Sequence, residues 1–296
     1  MHAPYQRTLR AHAKINLLLR ILAREEGGFH GIETVFQRIA LHDLMHVSVI
    51  EKGRSLECDG PAMPVEGLGP PEHNLAWRAA EGYAAASGWD TGWHIEIEKN
   101  IPVGGGLGGG SADAAGVLRA MEAMSPKPIG LPALLALAGT LGADVPFFVC
   151  DTSFALAWSR GNRLLQLTAL PQMAVTLVTF DAGVSTAAAY TAFANARHDS
   201  REGVGATWYP ASMTASWESL SAFAVNDFER VVPLFHGGVA KVLPALRKEV
   251  SRIRAVGAPA IGLMSGSGAS CFLLHPPELP TRLESDYGTV VRTTTT

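Results

Sequence analysis

With 296 residues, the chain is long enough for one large or two medium domains around a sizeable hydrophobic core. Hydrophobic residues at 47% and charged residues at 17% exclude a disordered chain. A formal net charge of -3, without any Lys/Arg-rich block, argues against a nucleic-acid partner. The three cysteines, Cys58, Cys150 and Cys271, are far apart and form no Cys-x-x-Cys pair. Neither a disulfide framework nor a structural zinc site is expected, and each reads as a small buried residue. The N-terminus has no secretory pattern, and no apolar run approaches the roughly 20 residues that span a bilayer. The expectation is a cytoplasmic protein, monomer or homodimer, with no membrane partner.

In chain order, residues 13–19 alternate as a strand, with Ile15, Leu17 and Leu19 on one face and Lys14, Asn16 and Leu18 on the other. Gly27-Gly28 marks a turn, 44–50 predicts a strand, and the Gly- and Pro-rich stretch 53–71 reads as loop. Residues 74–86 are helical, with Asn74 as cap and Gly88 at the end. Trp93, Ile95 and Ile97 alternate with His94, Glu96 and Glu98 as a half-buried strand. Beyond a glycine run, 111–124 is an Ala-rich helix stopped by Pro126, and 131–141 is a second helix. Asp144 precedes a short apolar strand at 146–150, and further strands are predicted around 164–167 and 175–180. Residues 195–216 lack periodicity and read as a long loop or partly disordered insertion. The stretch 223–255 looks mostly helical, 260–274 holds a strand-loop-strand or strand-loop-helix unit, and 293–296 should fray. Strands alternate with helices throughout. The fold class is therefore α/β or α+β in two lobes, an N-terminal domain over 1–160 and a C-terminal domain over 161–296.

The strongest chemical signal runs from Pro102 to Ser111. Six of the seven residues from Gly104 to Gly110 are glycine, Leu107 being the seventh. Glycine is entropically costly to order. Its use here is to present successive backbone N–H groups to an anion with no Cβ in the way, and the following helix adds its own N–H groups and positive dipole end. A flexible linker would seldom stand between a strong strand and a strong helix. The run lacks the lysine of a G-x-x-x-x-G-K-[ST] loop. A G-x-G-x-x-G match through Gly104, Gly106 and Gly109 would need an acidic residue about 20 positions on at a strand end, but Glu122 lies inside the helix. Ser111 could touch a phosphate or magnesium ion, or cap the helix that follows. Asp144 is either a turn cap or a carboxylate held near a cation. Lys14 shares its strand face with Asn16, although a lone lysine is ordinarily solvated.

The segment from Pro102 through Val103, Gly104, Gly105, Gly106, Leu107, Gly108, Gly109, Gly110 and Ser111 to Ala115 resembles the phosphate-binding motif of the galactokinase, homoserine kinase, mevalonate kinase and phosphomevalonate kinase superfamily. Its triple-glycine form is similar to the branch acting on a cytidine diphosphate-linked polyol. Ala13-Lys14-Ile15-Asn16-Leu17 resembles the N-terminal motif, and 264–271, with Ser265, Gly266, Ser267 and Gly268, the C-terminal glycine motif. Residues 141–148 resemble the segment carrying the catalytic aspartate, and 226–229 also fit. The resemblance covers about 11–274 and implies an active site in a cleft between an N-terminal ATP-binding lobe and a C-terminal lobe. It further implies ATP as phosphoryl donor, bringing its own Mg2+ with no protein metal site. Asp144 would be general base, steadied by Lys14. Phe29, where the family usually has Tyr, would stack on the cytosine, with His30 on its polar edge. Phenyl retains the π face for stacking and lacks the hydroxyl. Asn16, Thr186 and Tyr190 complete the implied substrate site. His30 could instead be a plain loop residue, Tyr190 a helix-core residue, and the 265–270 loop a packing turn.

Overall fold

The computed structural model describes residues 5–24, 30–199, 208–283 and 285–296. In chain order, the strands and helices begin with β1 (Tyr5–Arg24), β2 (His30–Ile50), β3 (Arg54–Asp59), α1 (Leu75–Ser87), β4 (Gly92–Glu98) and α2 (Gly109–Met124). Next come α3 (Leu131–Leu141), α4 (Val145–Val149), β5 (Phe154–Ser159), β6 (Arg163–Gln166), β7 (Ala174–Thr179) and α5 (Thr186–Asp199). The chain ends with α6 (Trp217–Ser221), β8 (Val225–Asn226), α7 (Gly237–Arg254), β9 (Ile261–Met264), β10 (Cys271–His275) and β11 (Thr289–Thr294). The α/β class is thus observed.

Two compact units share these elements. The first comprises Met1–Ala13, Leu41–Val103 and Gly108–Thr152, and the second Lys14–Ala40, Gly104–Leu107 and Ser153–Thr296. In the first, the end of β2 pairs antiparallel with β4, and β4 pairs in parallel with β3. Trp93, Ile95 and Ile97 are buried while Glu96 and Glu98 are exposed, as their alternation predicts. Helices α1 and α2 pack together, and α3 and α4 join them. Asn74 caps α1 by accepting from Ala76 N–H at 2.9 Å. Small residues bring α2 close to the sheet. A Cβ on Gly116 would lie 2.7 Å from Leu9 Cδ1 and 2.8 Å from Met45 Sδ.

In the second unit, the start of β2 pairs with β5, β5 with β6, and β1 runs parallel to β8 at Leu18 and Leu19. A separate antiparallel sheet has the order β11-β7-β10-β9. Its inner strand β10 is buried along its whole length, which suits the unbroken apolar run 271–274. Helix α7 packs on β9 and β10, with Val239, Val242, Leu246 and Ile253 facing the core.

Several expectations fail for physical reasons. Residues 146–150 are helical in α4, not a strand, because a short apolar run has no period to distinguish the two and Pro146 suits a first helical turn. Within 53–71, β3 takes 54–59, and at the C-terminus β11 pairs with β7 instead of fraying. The stretch 223–255 is an α-helix only in α7; before it come β8 and two 3-10 turns. Within 195–216, α5 extends to Asp199 and a 3-10 turn spans Ala211–Thr214, while 200–207 lie outside the described residues. Cys271 is buried and Cys58 partly so, whereas Cys150 is exposed.

Candidate active site

The glycine run divides at Leu107. Its first part, Gly104–Leu107, belongs to the second unit and is fixed through its carbonyl groups. Gly105 O accepts from Ser270 N–H at 3.0 Å, and Leu107 O from Lys14 N–H at 2.9 Å. Gly106 O accepts from Lys14 Nζ at 2.9 Å and from Ser265 Oγ at 3.0 Å. Gly106 has φ +76° and no room for a side chain, since a Cβ would stand 2.2 Å from Ser265 O. With the carbonyls anchored, the amides are left over. Among the described residues, none accepts a hydrogen bond from the eight N–H groups of Gly104 to Ser111. Unpaired amides in succession are what an anion requires.

The second part of the run, in the first unit, opens α2. Gly108 occupies the N-cap in a left-handed conformation, φ 76°, so the helix starts at Gly109, two residues earlier than expected. Ser111 therefore lies inside the first turn, and its alternative role as cap is excluded. The partial positive charge of the helix end falls on the glycines themselves.

In the second unit, Lys14 and Asn16 are 3% and 2% exposed, which removes the solvated-lysine reading. Asn16 Nδ2 donates to Thr34 Oγ1 at 2.7 Å, and Thr34 Oγ1 donates to Leu18 O at 2.7 Å. These bonds turn Asn16 Oδ1 the other way, where it accepts from Lys14 Nζ at 2.8 Å and from Gly266 N–H at 2.9 Å. Lys14 Nζ also lies 5.6 Å from the centre of the Phe36 ring. One buried amide thus orients the ammonium and the C-terminal glycine loop together.

That loop leaves few amides unspent. Ser265 N–H donates to Ser270 O and Gly268 N–H to Ser265 O, so of Ser265, Gly266, Ser267 and Gly268 only Ser267 keeps an N–H without a described acceptor. Its shape is set by Asn226, whose Nδ2 donates to Met264 O at 2.7 Å and Gly266 O at 2.8 Å, while Glu229 Oε1 accepts from Met264 N–H. Burial pushes the Glu229 carboxyl up, against that bond and the nearby Arg247. Ser267 Oγ meets Thr186 Oγ1 at 3.0 Å, at the start of α5. One turn on, Tyr190 is half-buried with its ring edge-on to Phe228, centroids 4.9 Å apart, so it serves the core at least on that side.

In the first unit, Asp144 is half-buried just before α4, and its side chain makes no cap hydrogen bond to that helix. Asp144 therefore does not cap α4. Pro102 is half-buried and Val103 exposed between Ile101 and the glycines. His30 begins β2, and Phe29 lies outside the described residues. Asn226 and Glu229, from the segment 226–229 that fits the resemblance, shape the C-terminal loop of the second unit. The sequence did not single out a buried cluster of Lys99, Asp43 and Asp113 in the first unit. Among the described residues, no group of three or more His, Cys, Asp or Glu could hold a metal ion, and no helix is long and apolar enough to cross a membrane.

A strand-loop-helix glycine cradle in an α/β chain defines the class: residues 74–152 match the family described as GHMP kinases N terminal domain. The chain is 38% identical to a 4-diphosphocytidyl-2-C-methyl-D-erythritol kinase of Desulfitobacterium hafniense, over 88% of this chain and 84% of that one. It is 37% identical to the enzyme of the same description from Pelotomaculum thermopropionicum, over 90% and 88%. A crystal structure of 4-(cytidine 5'-diphospho)-2C-methyl-D-erythritol kinase superposes with a TM-score of 0.71 at 34% identity, covering 98% of this chain and 99% of the other. The chain belongs to the 4-diphosphocytidyl-2-C-methyl-D-erythritol kinase family, ATP-dependent phosphotransferases of the GHMP class.

Proposed function

We propose that this protein transfers the γ-phosphoryl group of ATP to the 2-hydroxyl of 4-diphosphocytidyl-2-C-methyl-D-erythritol, in the non-mevalonate route to isoprenoid precursors. The observation that carries the reading is the row of eight amides, Gly104 to Ser111, with no described acceptor. Phosphoryl transfer asks a protein mainly for positioning and charge stabilisation. Gly104 to Ser111 cradle the donor phosphates, and Ser267 adds its amide. Lys14, held by Asn16 and Gly106, supplies a cation for the developing charge. Asp144 orients the acceptor hydroxyl and takes its proton, and its pairing with Lys14 is part of the same reading. Mg2+ carried by ATP would neutralise phosphate charge when bound.

Phe29, His30, Thr186 and Tyr190 form the cytidine side of the proposed substrate site. This reading makes the protein a cytoplasmic monomer or homodimer acting on a small soluble molecule. ADP release should be followed with the cytidyl polyol, mevalonate and homoserine as competing acceptors. Turnover is expected with the cytidyl polyol alone, and turnover only with mevalonate or homoserine would overturn the assignment.

A further inference from the structure

Behind the second half of the glycine run, the first unit buries a lysine between two carboxylates. Lys99, the residue after β4, is 3% exposed, Asp43 on β2 is 0% and Asp113 on α2 is 2%. Lys99 Nζ donates to Asp43 Oδ2 and, at 2.6 Å, to Asp113 Oδ2. Asp43 Oδ1 accepts from the N–H groups of Asn100 at 2.6 Å and Ile101 at 2.7 Å. The backbone of Lys99 is gripped too: its N–H donates to Asp59 O at 2.7 Å and its carbonyl accepts from Ala62 N–H at 2.9 Å. Asp113 Oδ1 is buried with no hydrogen-bond partner.

Burying a lysine with two carboxyl groups is expensive, and apolar residues of similar volume often fold as well or better. A cluster that leaves one carboxylate oxygen unsatisfied is a poor device for stability alone. Its geometry suggests another use. Asp43 straps down residues 100 and 101, the last before Pro102, while Lys99 ties that strap to the second turn of α2. Gly109, the first residue of the helix, rests on the strap, since a Cβ there would lie 3.1 Å from Ile101 Cγ2 and 3.6 Å from Asp43 Oδ2. The cluster therefore fixes where the helix N-terminus stands relative to the chain entering the run.

We infer that Lys99, Asp43 and Asp113 are positioning residues for the donor nucleotide, holding the amides of 108–111 where the phosphates of ATP need them. The inference rests on the proposed kinase reading. Lys99 touches no reacting atom in this account, so its loss should fall on nucleotide affinity.

Two variants decide it: Lys99→Met, and Lys99→Met combined with Asp113→Leu. The double variant removes the stranded carboxylate and should recover most of the thermal stability that the single one loses. Both are expected to raise KM for ATP about tenfold or more, with KM for the cytidyl polyol changed less than about twofold. The dissociation constant of a non-hydrolysable ATP analogue should rise in step. A folded double variant with wild-type nucleotide affinity would overturn the inference, as would affinity that recovers together with stability. If the wild type binds the analogue but phosphorylates no polyol, the proposed function falls and the binding comparison still decides this point. If it binds no ATP at all, both fall.

Discussion

Lys14 and Asp144 carry the proposed chemistry, and they became legible in different ways. Period-2 alternation placed Lys14 and Asn16 on one strand face. It could not show that both are buried, because burial of a polar side chain depends on the tertiary partners that offset its desolvation. Here those partners are Gly106 O for Lys14 and Gly266 N–H for Asn16, far along the chain. Asp43, Lys99 and Asp113 were invisible for the same reason, since their pairs join residues 56 and 14 positions apart. Asp144 was read from resemblance, and its side chain makes no cap hydrogen bond to α4. Asp144→Asn keeps the side chain's size and removes its basicity. It should lower kcat by about 10²–10⁴ while ATP-analogue affinity, measured by calorimetry, stays within about twofold. An unchanged kcat would take Asp144 out of the catalytic role.

Among the elements, the glycine run was the most legible, because a backbone that must expose its amides has to be written in glycine. The position of the helix start was not: Gly108 caps α2, and nothing in composition separates it from its neighbours. Nor was α4, whose five apolar residues have no period to read. The run can be tested against itself. Gly104 and Gly106 both have positive φ, but a Cβ on Gly104 would meet its nearest neighbour, Gly183 Cα, at 3.8 Å, whereas one on Gly106 would collide with Ser265 O at 2.2 Å. Gly104→Ala should cost only the left-handed strain of about 1–2 kcal/mol. Gly106→Ala should cost distinctly more and displace the Lys14 contact, so its melting temperature and kcat should both fall further. Equal losses in the two variants would contradict this account of the loop.

At the scale of the molecule, the α/β class followed from alternating patterns, but the compact units could not. Each draws on separate stretches of sequence, and strands β1 and β2 contribute to both. Such interleaving leaves no linker to find. One buried group also couples global stability to pH. Burial raises the Asp113 carboxyl from 3.8 to about 7, opposed by Lys99. Between those values the folded protein holds a proton that the unfolded chain has lost, so this group makes stability fall as pH rises through the window. The difference in denaturant stability between Asp113→Asn and wild type should therefore grow in the variant's favour from about pH 4 to about pH 7. A flat difference would show that Asp113 titrates normally. The central claim, transfer to the 2-hydroxyl of the cytidyl polyol, is tested most directly by proton-coupled phosphorus NMR of the product formed with ATP. Carbon 2 carries a methyl group and no hydrogen, so the account predicts one new monoester resonance without three-bond proton splitting; a doublet or triplet would place the phosphate on another hydroxyl and contradict it.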